Sequence, residues 1–475
     1  MASFSHLTNE AKIIFDTLSD RAASIISPTI RLGVTGLSQA GKTVFITALV
    51  HALLGKNQLP LFKVSYEKRL ISVELNQQPD DHLARFEYEK HLNMITEDVL
   101  WPQSTRMLSE LRIKINFKPR SSLMSYFNNN TLTIDLIDYP GEWLLDLPLL
   151  NKSFYEFSRD SLRQAQTLRH KKHAQDWLNL IHDIDINQKT NEEKIQLLSE
   201  AFTNYLKSAK LDPNAISMLP PGRFLMPGDY EGAPLLTFCP LPFQEETAIV
   251  ENSLLSIMEK RYQAYKKHII RPFFREHIAR LDRQIILIDA MQAFNAGPEA
   301  IEELQQTLSE ILSCFRPGKN SWLSHLFYHQ IDRILVASTK ADQLHHTNHE
   351  RLQSLTNQLV NVAIEKAGLN GANIGSLAIS SIRATHEATA KKQGEHLPLI
   401  VGTPMVGEKV NDIVFDGQTQ TAIFPGDLPD KLNDIKHKGD LQFVRFRPPH
   451  LKNNEPFPHI RLDRALEFLI GDQFS

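Results

Sequence analysis

The chain has 475 residues, of which 42% are hydrophobic and 23% are charged, and its formal net charge at pH 7 is −3. Single hydrophobic cores stop growing near ~250 to 300 residues, so we expect a main domain with sizeable insertions. The composition is that of a folded protein and excludes a disordered chain or one that coats nucleic acid.

The cysteines and the amino terminus indicate the cellular compartment in which we expect the protein. Cys239 and Cys314 are far apart and form no C-x-x-C motif, so they imply neither a disulfide framework nor a zinc site. The amino terminus lacks a basic start followed by an apolar signal core, and the uncharged stretch from Thr43 to Gly55 is too short to span a bilayer. We therefore expect a cytoplasmic protein without a transmembrane segment.

Residues 1–27 contain the first predicted element. Apolar residues recur there at helical spacing from Leu7 to Ile26, with charged residues on the other side, which predicts an amphipathic helix. Such a helix could attach peripherally to the inner membrane. However, its polar face is not basic, and packing against the protein's own body is the commoner role.

A β-rich run at 29–35 is followed by a glycine loop and an apolar helical stretch at 42–54. The loop matches the phosphate-binding pattern G-x-x-x-x-G-K-[ST] without deviation. Its backbone N–H groups are expected to wrap a polyphosphate, while the lysine neutralises the β and γ oxygens and the hydroxyl ligates Mg²⁺. The predicted nucleotide contacts are Gly36, Ser38, Gln39, Ala40, Gly41, Lys42, Thr43 and Val44, with Thr43 also a metal ligand.

The remaining elements are typical of an α/β nucleotide-binding sheet. β-like runs at 111–117 and 131–137 predict a long hairpin, and further strands are predicted at 284–288, 333–338 and 376–380. Residues 151–282 are rich in helix formers, including 251–282, with an irregular Pro- and Gly-rich stretch at 220–242. The predicted organisation is a core of residues 28–150 and 283–395, a helical insertion of residues 151–282, and a C-terminal extension of residues 396–475 that ends in a helix at 463–470.

The motif Asp138-Tyr-Pro-Gly141 follows the run at 131–137. Alone, Asp-x-x-Gly is usually a turn. After a phosphate-binding loop, it marks the aspartate that holds Mg²⁺ through water and the glycine that meets the γ-phosphate. Asp138 is therefore a predicted metal residue, and Gly141 is a predicted nucleotide contact in switch II.

Thr339-Lys-Ala-Asp342 ends the strand at 333–338. A carboxylate there can accept the N1–H and N2–H₂ donors of guanine, which adenine lacks. The alternative is a helix terminus capped by Thr339. We favour guanine recognition by Lys340 and Asp342, whereas an ATPase would require Asp342 to be uninvolved with the base. His345 could edge the base pocket or face solvent.

The order of these motifs, closed by Ser380-Ser-Ile-Arg383, resembles the Ras-like GTPases. Over nearly the whole chain, the same motifs together with Trp101–Arg106, Asp138–Trp143 and Pro221–Asp229 resemble the bacterial YcjX family of stress-associated GTPases. The resemblance implies a Ras-like core with a mixed, mainly parallel sheet, and a helical insertion reminiscent of G-protein α subunits. It also implies GTP or GDP and Mg²⁺ as ligands, and Ser381 and Ile382 as nucleotide contacts in the closing turn.

Switch I is assigned to residues 101–106, where Ras-like proteins place the threonine that completes Mg²⁺ coordination. Thr105 is the candidate metal ligand, with Ser104 beside it as a nucleotide contact. Arg106 could be an arginine finger in cis or a surface arginine paired with a carboxylate. Trp101 could cover the ribose or base, or anchor the loop in the core.

Three positions depart from the usual GTPase pattern: Thr339 where Asn is commoner, Glu142 where a water-orienting Gln is often found, and the closing turn at 380–383. A carboxylate that faces the γ-phosphate is repelled unless it is protonated or turned away, so slow or differently organised hydrolysis is expected.

Two functions stay open. One is a GTP-hydrolysing switch in a bacterial stress response, with Lys42, Arg106 and Glu142 as catalytic residues. The other is a nucleotide-stabilised scaffold with negligible turnover, in which the insertion binds a protein partner. Nucleic acid is not an expected partner.

Overall fold

The computed structural model describes residues 28–37, 39–55, 59–103, 107–120, 130–212, 218–315, 331–369, 373–392, 395–410, 412–436, 439, 441–452 and 455–474. The amphipathic helix predicted within residues 1–27 lies outside the described residues. Within the described ranges, no helix combines the length and the apolar character needed to cross a membrane.

Among the described residues, eight strands form one central sheet. They are β1 (Thr29–Gly36), β2 (Leu70–Asn76), β3 (Ala84–Arg85), β4 (Ser109–Phe117), β5 (Thr131–Asp138), β6 (Arg283–Ile288), β7 (Arg333–Ser338) and β8 (Ile374–Ala378). Their order is β2-β4-β5-β1-β6-β7-β8, with β3 paired to β4. β1 is parallel to β5 and β6, and β6, β7 and β8 are parallel to one another, whereas β2 and β5 are antiparallel to β4. The predicted mixed, mainly parallel sheet is therefore confirmed.

Helices cover the sheet. They are α1 (Lys42–Leu54), α2 (Lys63–Tyr66), α3 (Tyr88–Thr96), α4 (Phe154–Ala165), α5 (Lys171–Ile181), α6 (Glu192–Leu211), α7 (Leu254–Tyr265), α8 (Arg271–Glu276), α9 (Ala290–Ala296), α10 (Pro298–Phe315), α11 (His349–Lys366) and α12 (Leu462–Ile470). A long 3₁₀ segment, Gly141–Asn151, follows β5. Helices α4 to α8 fall within residues 151–282.

The core lies on both faces of the sheet. All six residues of β6 are buried, as is typical of a parallel strand covered by helices on both sides. Because strand side chains alternate, Ile285 and Leu287 join an apolar cluster with α1 and α12, whereas Ile286 and Ile288 join a second cluster. That second cluster continues into α4 to α8, so the insertion shares its core with one face of the sheet.

Smaller sheets follow the main one. Strands β9 (His386–Lys392), β10 (Glu395–Gly402) and β13 (Thr421–Ile423) form an antiparallel sheet in the order β13-β10-β9, and β11 (Lys409–Val410) pairs with β12 (Ile413–Val414). The apolar cluster beside the three-stranded sheet consists of Ile400, Ile423, Val444 and Phe446. Helix α12 returns to the main sheet, where Arg333 Nη1 donates to Phe468 O at 2.6 Å.

Two sequence expectations need correction. The strand predicted at 376–380 is β8 at Ile374–Ala378, because the chain leaves the sheet after Ala378 to reach the loop that contains Asp342. The helical stretch predicted at 251–282 is interrupted: a π-turn, Lys266–Ile270, joins α7 to α8, and a 3₁₀ turn, Ile278–Arg280, follows α8.

Candidate functional site

The phosphate-binding loop connects β1 to α1. Leu37 N donates to Leu287 O of β6 at 2.9 Å, and Ala40 N donates to Leu37 O at 3.2 Å. Gly41 precedes α1 with φ 74°, in the left-handed region that glycine adopts without steric cost. The first N–H groups of a helix lack intrahelical partners and favour an anion. The loop and the start of α1 therefore have the geometry expected of a phosphate cradle.

Lys42 lies beside the predicted metal carboxylate. Its Nζ is 2.7 Å from Asp138 Oδ1 and donates to Tyr139 O at 2.6 Å. Thr43 Oγ1 donates to Gln103 O at 3.4 Å, so the predicted metal hydroxyl reaches the segment assigned to switch I. The structure thus brings the lysine, the hydroxyl and the carboxylate to one end of the site.

Gly141 contacts the start of the phosphate-binding loop. A Cβ at this position would lie 1.9 Å from Gly36 O, which is far inside van der Waals contact. A residue larger than glycine would therefore push the Asp-x-x-Gly segment away from the loop.

Glu142, the next residue, pairs with the insertion. Its Oε1 lies 2.6 Å from Nζ of Lys210 at the end of α6, and both side chains are partly exposed. The backbone is equally close, since a Cβ at Gly222 would lie 1.9 Å from Glu142 O. The lysine offsets the negative charge that was expected to repel a γ-phosphate.

The insertion also holds the rest of this segment. Asp146 Oδ1 accepts a hydrogen bond from Gly222 N at 2.7 Å, and its Oδ2 accepts one from Tyr265 Oη at 2.8 Å. Burial raises the pKa of Asp146 to about 6, against the lowering effect of these donors. The guanidinium of Arg223 stacks 3.3 Å from the centre of the Trp143 ring. Residues 142–146 are therefore fixed to the insertion by charge, hydrogen bonds and stacking.

Asp342 is buried at the opposite end. Its Oδ1 accepts a hydrogen bond from Ser380 Oγ at 2.7 Å, and its Oδ2 accepts one from Ala384 N at 2.9 Å. Burial raises its pKa. Lys340 has a left-handed backbone, φ 62°, and its Nζ lies 2.5 Å from Asp289 Oδ2. Thr339 caps no helix, since its hydroxyl donates to Ile288 O at 3.3 Å.

One cavity of about 690 Å³ connects the two ends. Its volume lies within the range usual for ligand sites. It is lined by the predicted residues Gly36, Gln39, Ala40, Gly41, Lys42, Thr43, Val44, Trp101, Gly141, Glu142, Lys340, Asp342, Ser381 and Ile382. Asp138 is absent from this lining and adjoins it through Lys42.

The remaining predicted residues are four that fall outside the described ranges and His345. Ser38, Ser104, Thr105 and Arg106 are outside the described residues. His345 does not line the cavity, and the expectation that it faces solvent is wrong, because it is only 6% exposed. Its Nδ1 lies 3.1 Å from Thr347 Oγ1.

A further wall of the cavity was not predicted. Met405, Arg445 and Phe446 of the C-terminal extension line it, as does Met226 of the insertion. Trp101 Nε1 donates to Phe446 O at 2.6 Å, which ties switch I to this wall. Trp101 also packs against the core, in agreement with its predicted role as an anchor of the loop, whereas contact with the ribose or base stays a prediction. No motif marks these residues, because they meet only through the fold of the smaller sheets.

The comparisons with known proteins agree with these motifs. Residues 30–474 match the model of the YcjX-like family, DUF463. The chain is 33% identical over 471 residues to the Ras-like GTPase YcjX of Shewanella oneidensis, covering 94% of this chain and 95% of that protein. It is 34% identical over 457 residues to the Ras-like GTPase YcjX of Escherichia coli, covering 94% of this chain and 96% of that protein. The resemblance drawn from the motifs is confirmed, and this chain belongs to the YcjX-like family.

Proposed function

We propose that this protein binds GTP and GDP with Mg²⁺, hydrolyses GTP slowly and acts as a nucleotide-controlled switch. One observation carries the proposal: a single cavity has the phosphate cradle of Lys42 and Thr43 at one end and the buried carboxylate of Asp342 at the other. The relatives named Ras-like GTPases support the same class of function.

The phosphate end has the donors that a magnesium ion prefers. Mg²⁺ is a hard cation that takes oxygen ligands. The Thr43 hydroxyl and the Asp138 carboxylate, which faces the neighbouring Lys42, supply such oxygens at this end of the cavity. Thr105 is proposed as a further ligand. When bound, the ion neutralises charge on the β and γ oxygens. Lys42 has three N–H donors, two of which face Asp138 and Tyr139 O, so a third is available to a phosphate oxygen.

The base end favours guanine. Each carboxylate oxygen has two lone pairs, so Asp342 can keep its bonds to Ser380 and Ala384 and still accept N1–H and N2–H₂. Adenine presents an unprotonated N1 and no amine at C2, which leaves the buried carboxylate without those donors. Because a buried polar group left unpaired costs binding free energy, the site is expected to prefer guanine strongly over adenine.

The contacts of switch II suggest how the nucleotide would control shape. Gly141 is proposed to meet the γ-phosphate, and the next residue, Glu142, is bound to Lys210 of the insertion. Loss of the γ-phosphate would therefore act on the insertion through residues 142–146. We propose that a protein effector binds the insertion. The stress response and the cytoplasmic location, with peripheral attachment at the inner membrane, are proposals from the family resemblance and the sequence.

Titration calorimetry with GTP, GDP and ATP, each with and without Mg²⁺, tests the binding proposal. We expect GTP and GDP to bind with Mg²⁺ dependence and ATP to bind at least ~100-fold more weakly. Equal affinity for ATP and GTP would exclude Asp342 as the base reader. Single-turnover release of phosphate from GTP then tests hydrolysis.

One observation favours the scaffold function instead: the carboxylate of Glu142 is bound to Lys210, which competes with orienting water. The Arg106→Ala variant distinguishes the switch from the scaffold when its GTP affinity and its single-turnover rate of GTP hydrolysis are each compared with the wild type. A finger in cis predicts a large loss of hydrolysis with a modest loss of binding, on the scale of ~10³ to 10⁵ for such arginines. Equal rates in both proteins would favour the scaffold.

A further inference from the structure

A group of metal-ligating side chains lies outside the nucleotide cavity. His345, His346 and Glu387 each offer one ligand atom, and these atoms lie within 4.8 Å of one another. We propose that these three residues bind a divalent transition-metal ion of the zinc class. None of them lines the nucleotide cavity.

The geometry converges on one carboxylate oxygen. Glu387 Oε2 lies 2.5 Å from His346 Nδ1 and 3.9 Å from His345 Nε2. The other oxygen, Oε1, lies 3.5 Å from Nη2 of Arg383, which leaves Oε2 turned to the histidines. Ligands of a tetrahedral zinc ion, with bonds of ~2.0 to 2.1 Å, stand roughly 3.3 Å apart. The two separations from Glu387 Oε2 lie on both sides of this value, and the third, between the histidine nitrogens, is at most 4.8 Å, so shifts on the order of ~1 Å would accommodate the ion.

An ordinary ion pair between His346 and Glu387 is the simpler explanation, but it does not account for His345. The rings of the two consecutive histidines lie on the same side of the chain, 4.2 Å apart and 38° from parallel. His345 is buried, and its Nδ1 lies 3.1 Å from Thr347 Oγ1 and 3.4 Å from Thr347 N. In the metal-binding tautomer Nδ1 carries the proton and donates to Thr347 Oγ1, which leaves the unprotonated Nε2, 3.9 Å from the carboxylate, to bind the ion. A hydrogen bond to the second ring nitrogen is the usual device for orienting a metal-binding histidine.

The ligand set suits this class of metal. Imidazole nitrogen is a preferred ligand of zinc, copper and nickel, whereas Mg²⁺ and Ca²⁺ prefer oxygen. Two histidines and one glutamate leave a fourth position open to water. His346 is 64% exposed, which gives the ion a path of entry from solvent.

The site joins the two segments that hold the base-reading carboxylate. His345 comes one turn after Asp342, and Glu387 comes three residues after Ala384, whose N–H donates to Asp342. A metal ion would brace these segments behind the base pocket. Metal and guanine nucleotide would then each raise the affinity for the other, because such coupling is reciprocal. This coupling rests on the proposed function, whereas metal binding does not.

The experiment uses the full chain in excess Mg²⁺, without added nucleotide, titrated with Zn²⁺ against a chromophoric chelator at pH 7.5. We expect one Zn²⁺ per chain in the wild type. His346→Ala and Glu387→Gln should each lower the Zn²⁺ affinity at least tenfold. The matched control is His182→Ala, since His182 is 81% exposed and lies 3.8 Å from the Asp183 carboxylate, with no third metal-ligating side chain beside them among the described residues.

Unchanged Zn²⁺ affinity and stoichiometry in both variants would overturn the site, as would an equal loss in His182→Ala. Circular dichroism of each variant separates loss of a ligand from loss of the fold, and His346 is exposed enough for its truncation to leave the fold intact. GDP affinity is then measured with and without Zn²⁺. Zinc binding without a change in GDP affinity would keep the site and overturn its coupling to the base pocket.

Discussion

The two ends of the cavity are built differently. At the phosphate end, the loop of residues 36–44 is contiguous, and the charged side chains stand in opposite pairs, Lys42 with Asp138 and Glu142 with Lys210. At the base end, the Asp342 carboxylate accepts from the neutral donors Ser380 Oγ and Ala384 N of a distant loop, while Lys340 pairs with Asp289. The carboxylate proposed to read the base is therefore positioned by neutral hydrogen-bond donors, whereas each carboxylate at the phosphate end faces a lysine.

Lys42→Ala tests whether the phosphate end contributes equally to GTP and GDP affinity. It removes the ammonium that faces Asp138 and is proposed to contact phosphate, so GTP and GDP affinity should both fall on the order of 100-fold, the worth of about one charge-assisted hydrogen bond. Titration calorimetry measures the loss, with the exposed, remote Lys63→Ala as control. Unchanged GTP affinity would show that Lys42 and its loop do not bind the phosphates.

Asp342→Asn acts on the base end alone. The amide offers a donor where xanthine presents its O2 acceptor, so preference should move from guanosine to xanthosine nucleotides by roughly 100-fold. Competition between GTP and XTP measures the change. Full retention of GTP preference would show that Asp342 does not read the base.

Lys210→Ala removes the charge that offsets Glu142. The extra charge of the γ-phosphate should then make GTP affinity fall about fivefold relative to GDP affinity, matching the ~1 kcal/mol of a partly exposed pair. Lys207→Ala, an exposed lysine on the same helix, is the matched control. An equal fall for GTP and GDP would place the effect on the fold rather than on the γ-phosphate.

Trp101→Phe should have the smallest effect. It deletes the hydrogen bond to Phe446 O while keeping an aromatic ring, which costs about 1 kcal/mol and thus roughly fivefold or less in nucleotide affinity. Affinities for GTP and GDP should fall together. A loss confined to GTP would instead connect this wall with the γ-phosphate.

The sequence predicted the strands and the helix around the glycine loop well because their signals are local. Helix α1 begins and ends at the predicted residues, and β6 and β7 agree with the prediction within one residue. Strand β9 was missed, because His386–Lys392 is polar and lacks apolar alternation. β2, an edge strand exposed along much of its length, was missed as well.

The partners of the predicted site residues could not be read from the sequence. Nothing at Lys210 indicates that it pairs with Glu142, 68 positions away, or that Phe446 meets Trp101 across 345 positions. Such contacts depend on how helices and smaller sheets pack, and no local spacing records them. Similarly, His345 was predicted at the base pocket or in solvent, whereas it faces Glu387 of the unpredicted strand β9.

The position of β1 at the centre of the sheet has a consequence for how the chain folds during synthesis. Arg31 N bonds the Asp282 carboxylate 251 positions away, and Leu37 N bonds Leu287 O. Because chains emerge amino terminus first, a ribosome-bound fragment ending before β6 leaves one edge of β1 without its partner and the phosphate-binding loop without its anchor. Pairings of such long range are slow to form. Nascent chains shorter than about 290 residues are therefore expected to expose an unpaired strand edge, the kind of surface that chaperones shield from aggregation.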